Sequence, residues 1–306
     1  MLNKLMITGV GGFVAGNVVL QAIDEWEVHG LARKPIYPPM KNFNFHTIDL
    51  RDLAKLRAVF SQVRPDAVIH AAAIADIDFC QSNQQIAEEV NVGITRELSL
   101  LCAESGARLV FCSTDTVFDG EKGLYVEEDL PIPVNYYAET KIRAENIIQD
   151  SNKNAAIARL ALVMGLPVLV GGNSFLAKMR QQLDAGKTGT FYENEIRTPI
   201  DVVTLSRALL ELAANDFTGI LHLAGNDRLN RYDMAQRIAA QLNYSLENIK
   251  SADSSSIPGR APRPRDVSLN NDKARNTLHT PMVNLQQGLV LAMSSRRIKN
   301  YDNSPN

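Results

Sequence analysis

Residues 5–16 read Leu-Met-Ile-Thr-Gly-Val-Gly-Gly-Phe-Val-Ala-Gly: an apolar β-type run, a glycine cluster, then a segment with helical period. Few features restrict a fold as much as glycines at the first strand-to-helix junction. Gly9 permits a tight turn, and Gly12 lets the backbone approach a pyrophosphate. A small residue at Ala15 or Gly16 allows the helix to pack closely on its strand, while the helix N-terminus points partial positive charge at the phosphates. Gly9 and Gly12, with Phe13 and Val14 in the first helical turn, are therefore candidate dinucleotide contacts. Glycine turns of this kind also occur without a ligand. The weight of this one comes from its place in an alternating β–α pattern.

That pattern runs through the first half of the chain. Strands are expected at 5–8, 28–31, 46–48, 67–70, 108–112 and 155–160, and helices at 13–23, 53–63, 86–104 and 137–149. The strands carry little charge, as when both faces of a sheet are covered by helices. The fold class is α/β: a doubly wound parallel Rossmann sheet with a smaller C-terminal substrate-binding domain. The expected division is 1–162 plus about 196–225 for the dinucleotide domain, about 163–195 plus 226–299 for the substrate domain, and a polar tail at 300–306. Helices at 173–185, 202–214, 232–242 and 286–293, a strand at 220–223 and a loop at 251–265 complete the second half.

Composition narrows the partners. A formal charge of −2 argues against a whole-protein grip on nucleic acid. The three cysteines form no CxxC, so neither a disulfide framework nor a zinc site is expected. The longest uncharged run, 160–177, is interrupted by Gly165, Pro167, Gly171 and Gly172, so it reads as a buried strand and loop rather than a membrane span. A cytoplasmic protein without a membrane partner is the expectation, and a homodimer remains open.

The second strand ends Gly30-Leu31-Ala32-Arg33-Lys34, with no carboxylate to take a ribose 2′-hydroxyl. Arg33 and Lys34 suit a 2′-phosphate, which favours NADP and leaves NAD as the alternative; a solvated basic turn is the plainer reading. Tyr137 and Lys141 stand four apart, on one helical face, where an ammonium should lower the phenol's pKa and equip it for proton transfer. Thr114, at the C-terminal end of the fifth strand, can reach the same substrate oxygen, while Ser113 should point to the other face. Taken singly, a Tyr–Lys pair is usually a surface contact and a Ser-Thr step usually a turn.

Together the glycine turn, His70-Ala71-Ala72-Ala73, Asn91-Val92, the run 113–120 (Ser-Thr-Asp-Thr-Val-Phe-Asp-Gly) and Tyr137-xxx-Lys141 resemble an extended short-chain dehydrogenase/reductase. Within that superfamily Asp49-Leu50-Arg51-Asp52, Glu127-Glu128-Asp129-Leu130-Pro131, Arg197-Thr198-Pro199 and Arg263-Pro264 resemble the dTDP-4-dehydrorhamnose reductases and their relatives, the regulatory β subunits of methionine adenosyltransferase. The resemblance covers the chain to about residue 290 and is strongest through 165.

It implies a catalytic trio of Thr114, Tyr137 and Lys141, with Tyr137 protonating a 4-keto oxygen of a nucleotide-linked deoxysugar after hydride delivery from NADPH. It also implies Asp49 and Leu50 beside adenine, Ala71, Ala72 and Ala73 along the pyrophosphate and ribose, and Asn91 in a relay behind Lys141. Asp115, Asn173, Arg197 and Arg263 would meet the sugar nucleotide. Asp76, Asp78, Glu127, Glu128 and Asp129 lie on separate stretches without metal-ligand spacing, and no metal is expected. An epimerase or dehydratase of the same superfamily, or a regulatory NADP-binding subunit, are the alternatives.

Overall fold

The computed structural model describes residues 2–34, 38–168, 174–257 and 259–295. Among these residues six strands run through the first half, with helix between each consecutive pair except the second and third. They are β1 (Lys4–Thr8), β2 (Glu27–Ala32), β3 (Phe43–Thr47), β4 (Ala67–His70), β5 (Arg108–Thr114) and β6 (Ala155–Leu160). With a later strand, Gly219–Leu223, they form one seven-stranded parallel sheet in the order 219–223, β6, β5, β4, β1, β2, β3. The order reverses between β1 and β4. That is the switch point at which open α/β sheets bind ligands beyond the strand carboxyl ends.

Period-two geometry explains why the strands are apolar throughout. Leu5 and Ile7 face one helical layer and Met6 the other; in β5, Val110 and Cys112 face the first layer and Leu109 and Phe111 the second. The first layer is built on α1 (Phe13–Ala22) and the helix Val202–Ala214, which contributes Leu205, Ala208, Leu209 and Leu212. The second is built on α2 (Leu53–Val63), α5 (Ile94–Ser105) and α6 (Tyr136–Ser151). A third apolar cluster joins helices Phe175–Asp184, Arg231–Gln241 and Leu285–Ser294 with the strand pair Gly189–Tyr192 and Ile249–Ala252. Val267, Leu269, Ala274, Leu278 and Met282, although late in the chain, pack into the sheet-side cluster.

Several expectations need correction. The third strand is Phe43–Thr47 rather than 46–48, because it pairs with β2 from Val28 opposite Phe43. Gly30 makes room for it: a Cβ there would stand 2.7 Å from the Phe43 ring. The helix expected at 86–104 is broken. α4 (Gln84–Glu88) passes through a π-helical turn, Glu89–Gly93, into α5. Before it stands a helix not foreseen, α3 (Ile77–Ser82), whose cap Asp76 accepts the Phe79 N–H. Residues 251 and 252, expected as loop, end the strand Ile249–Ala252, and the short helix Asp272–Thr277 was not anticipated either. The helix expected from 173 begins at Phe175 behind the cap Ser174, and Asn173 and the tail 300–306 lie outside the described residues. Among the described residues, no helix is long and apolar enough to cross a membrane.

Candidate active site

α1 opens at the sheet's switch point. Gly9 has φ +73°, a region that favours glycine, and a Cβ there would lie 2.8 Å from the Ala72 Cα. The turn is therefore closed against the Ala71–Ala73 segment that follows β4. Gly12 donates its N–H to Gly9 O (2.7 Å) and occupies the cap of α1 with no side chain supplying a cap bond. α2, α3 and α6 are capped by Asp52, Asp76 and Asn135, so the contrast is chemical. The first N–H groups of α1, at Phe13 and Val14, have no side-chain acceptor, and no Cβ fills the space above Gly12. That is a fit for an anionic diphosphate.

Cations gather at the ends of β2 and β3. Arg33 and Lys34 are exposed, and Arg33 is close enough to Asp49 to help lower its pKa. The main cause is Arg51, whose Nη2 donates to Asp49 at 2.6 Å and whose backbone N–H also donates to it; the Asp49 carboxyl is held down at about 2. Leu50 is buried beneath, in the second-layer core. Arg51 is an addition to the expected site residues. Its sequence signal was its place in the Asp49-Leu50-Arg51-Asp52 run.

Thr114, Tyr137 and Lys141 lie together at the carboxyl end of β5. α6 starts at Tyr136 behind Asn135, whose side chain accepts the Ala138 N–H (2.9 Å) and donates to Pro262 O (3.1 Å). This sets Tyr137 one turn before Lys141, on the stripe facing β5. Both are buried, and the Thr114 hydroxyl at the end of β5 stands near enough to the phenol to favour its ionised form. Thr114 Oγ1 also lies 3.0 Å from Thr116 Oγ1 and 3.2 Å from Asp115 Oδ1. Ser113 turns to the other face and donates to Glu145, which pairs with the buried Arg159 at 2.8 Å. Glu145 continues the Tyr137–Lys141 stripe by one more turn.

One electrostatic expectation fails. Burial is the larger influence on Tyr137 and pushes the phenol above its ordinary value, with the Thr114 hydroxyl working the other way. Lys141 does not bring it toward neutrality, because its Nζ donates to Cys112 O (2.7 Å) and lies 4.0 Å from the Phe111 ring centroid. Burial lowers Lys141 itself to about 8, against the pull of Cys112 and Glu145. Asn91 is held by other groups. Its side chain bonds the Ile74 backbone in both directions and donates to Thr140 Oγ1 (3.1 Å), next to Lys141 in sequence.

Beyond the trio the site turns cationic. Burial raises the Asp115 carboxyl and Arg197 opposes it, with 3.9 Å between Arg197 Nε and Asp115 Oδ2, an oxygen that accepts no hydrogen bond. Arg197 is held by the carbonyls of Ile196, Pro264 and Arg265. Arg263 donates to Asp78 (2.8 Å), tying the 259–266 stretch to α3. The buried Glu195 is an unforeseen centre of this region. Arg231 Nε stands 2.9 Å and Arg260 Nη1 2.7 Å from it; the first is an ion pair whose N–H is not aligned for a hydrogen bond. Burial works to raise Glu195, and Arg231, Arg197 and Arg260 together overcome it. Three guanidiniums thus surround two carboxylates, Glu195 and Asp115.

A seven-stranded parallel sheet with an uncapped glycine turn at its switch point defines the class: an α/β protein of the dinucleotide-binding type. The chain belongs to the RmlD substrate binding domain family, which matches residues 3–297. It is 27% identical over 289 residues to the probable low-salt glycan biosynthesis reductase Agl14 of Haloferax volcanii, spanning 93% of this chain and 95% of that one. It is also 27% identical over 278 residues to the methionine adenosyltransferase 2 subunit beta of Rattus norvegicus, covering 89% and 81% respectively. In fold it is similar to the dTDP-4-dehydrorhamnose reductase of Bacillus anthracis solved in complex with NADP, with a TM-score of 0.85 at 21% identity over 96% of this chain and 99% of that one.

Proposed function

We propose that the chain reduces the 4-keto group of a nucleotide-linked deoxysugar with NADPH. The observation that carries this reading is the convergence of Thr114, Tyr137 and Lys141 at the carboxyl end of the sheet, two strands from the open N-terminus of α1. Gly9, Gly12, Phe13 and Val14 would hold the cofactor's diphosphate, Ala71–Ala73 its ribose side, Asp49 and Leu50 its adenine, and Arg33, Lys34 and Arg51 a 2′-phosphate. NADPH supplies the hydride when bound. The chain's own residues manage the proton. Tyr137, kept above its ordinary pKa by burial, stays protonated at neutral pH and donates to the substrate oxygen, while the Thr114 hydroxyl orients that oxygen. Lys141 would hold the nicotinamide ribose and, while charged, stabilise the phenolate left behind.

The arginines support a diphosphate-bearing substrate. Arg197, Arg231 and Arg260 outnumber the carboxylates they surround, and guanidinium forks match phosphate geometry. Arg263 would join them on release from Asp78, with Asp115 reaching the sugar. In this reading the segments that build the third apolar cluster form the substrate domain. The deciding experiment follows NADPH absorbance with a panel of nucleotide-activated 4-keto-6-deoxysugars, comparing wild type with Tyr137→Phe. Turnover by wild type and its loss in the variant, with NADPH still bound, is the expected result. Tight NADPH binding with no turnover on any panel member would instead favour a regulatory subunit, a reading supported by the likeness to the methionine adenosyltransferase β subunit. Turnover without net NADPH consumption would favour an epimerase or dehydratase.

A further inference from the structure

We propose that His70 is a positioning residue that couples the glycine turn to the catalytic helix through a directed chain of buried hydrogen bonds. The inference deepens the proposed function, since it takes the turn to be the cofactor's cradle. The chain is continuous. Ala72 N–H donates to Thr8 Oγ1 (3.1 Å), which lies 2.8 Å from His70 Nδ1; His70 Nε2 lies 3.0 Å from Thr95 Oγ1. Thr95 Oγ1 donates to Asn91 O (2.7 Å), Asn91 Nδ2 donates to Thr140 Oγ1 (3.1 Å), and Thr140 Oγ1 donates to Tyr137 O (2.7 Å). Thr8, His70, Asn91, Thr95 and Thr140 are all buried.

Counting protons leaves one arrangement. The Thr95 hydroxyl proton is committed to Asn91 O, so its oxygen must accept from His70, and Nε2 carries the hydrogen. Nδ1 is then bare and accepts the Thr8 proton, which frees the Thr8 oxygen to accept the Ala72 N–H. Ala72 is the residue against which Gly9 closes. At the other end, the π-helical turn Glu89–Gly93 carries Asn91 to Thr140, whose own bond ends on the backbone of Tyr137. A π turn inside a helix is costly and recurs at functional sites. Burial also suppresses protonation of this imidazole, holding it at about 3, with Lys141 as the charged group that faces it. A second ring proton would set an N–H on Nδ1 against the Thr8 hydroxyl and take away the acceptor of the Thr8 proton, ending the directed order of the chain.

The test has a spectroscopic arm and a binding arm, both on the full chain. Long-range proton–nitrogen spectra of protein labelled with ¹⁵N-histidine, with His70→Gln used for assignment, should show His70 with a protonated Nε2 and a bare Nδ1 that does not titrate between pH 8 and 5. An Nδ1–H tautomer or a titration in that range overturns the proposal. In the binding arm, Thr95→Val, on a helix remote from the glycine turn, should weaken NADPH at least fivefold, and Thr95→Ser should restore it to within twofold. Folded Thr95→Val that binds NADPH like wild type overturns the proposal. Failure of wild type itself to bind NADPH would defeat the cofactor reading instead, and the tautomer would still decide the wiring.

Discussion

Replacing Gly12 by Ala separates the cradle's binding role from its structural one. Gly12 has φ −82° and ψ 162°, extended backbone open to any residue, and a Cβ there meets only Gly9 O, at 3.1 Å. Alanine is a poorer helix cap than glycine by about 1 kcal/mol at most. It also restricts the unfolded chain, which stabilises by about 0.4–1 kcal/mol. The two nearly cancel, and about 1 kcal/mol either way moves the Tm of a chain this long by roughly 3 °C or less. Binding should respond very differently. The methyl group occupies the space above the uncapped N-terminus of α1, and displacing a phosphate from even one N–H forfeits a hydrogen bond to a charged group, about 1.5–3 kcal/mol. The expected result is at least a tenfold weaker NADPH Kd by fluorescence titration, with Tm almost unchanged by differential scanning fluorimetry. Gly9→Ala is the contrast: φ +73° costs about 1–2 kcal/mol, and the new Cβ presses on the Ala72 backbone at 2.8 Å. That variant should lose both stability and affinity. If Gly12→Ala is folded and binds NADPH within threefold of wild type, the turn is not a phosphate cradle and the cofactor assignment fails with it.

Arg33→Ala and Arg51→Ala should each weaken NADPH more than NADH, by about tenfold for a lost charge-assisted contact to a 2′-phosphate; equal losses for both cofactors would remove that assignment. Arg51→Ala should also release Asp49 from its low value of about 2, visible in a carboxylate NMR titration. Tyr137→Phe should cut kcat by about 10²-fold or more while NADPH affinity stays within threefold, since the hydroxyl acts on the substrate oxygen; retained turnover would take Tyr137 out of its role. Lys141, lowered to about 8, predicts a rate that declines as pH rises through 8, as the ammonium that stabilises the phenolate is lost. The same group sets a stability trend of opposite sign. Between pH 8 and its ordinary 10.5 the unfolded chain holds more protons than the native one, so this contribution to unfolding free energy rises with pH, measurable by urea titration.

The parts of the fold legible in the sequence were those written in local patterns. β4 and β6 fall at 67–70 and 155–160, and helices at 53–63 and 202–214, as their apolar runs require. The proximity of Thr114, Tyr137 and Lys141 was legible for a related reason. A four-residue spacing on one helix and a hydroxyl at a strand end are local facts, and parallel topology brings strand carboxyl ends together whatever the loops do.

Other features depend on distant partners. The register of β3 was decided by Gly30 making room for Phe43, and the break at 89–93 by the bonds of Asn91 to Ile74 and Thr140. Charge was least legible of all. Arg231 and Arg260 reach Glu195, a near neighbour of Arg197 in the chain, from segments whose sequence separation says nothing of their proximity. The phenol of Tyr137 was expected to fall in pKa beside Lys141 and instead rises, because desolvation is a property of the assembled surroundings. Periodicity and spacing specified the sheet, its covering helices and the residues able to carry the chemistry. Tertiary packing alone decided how much water each group keeps and which remote charge it meets, since solvation and Coulomb energy depend on distance through space rather than along the chain.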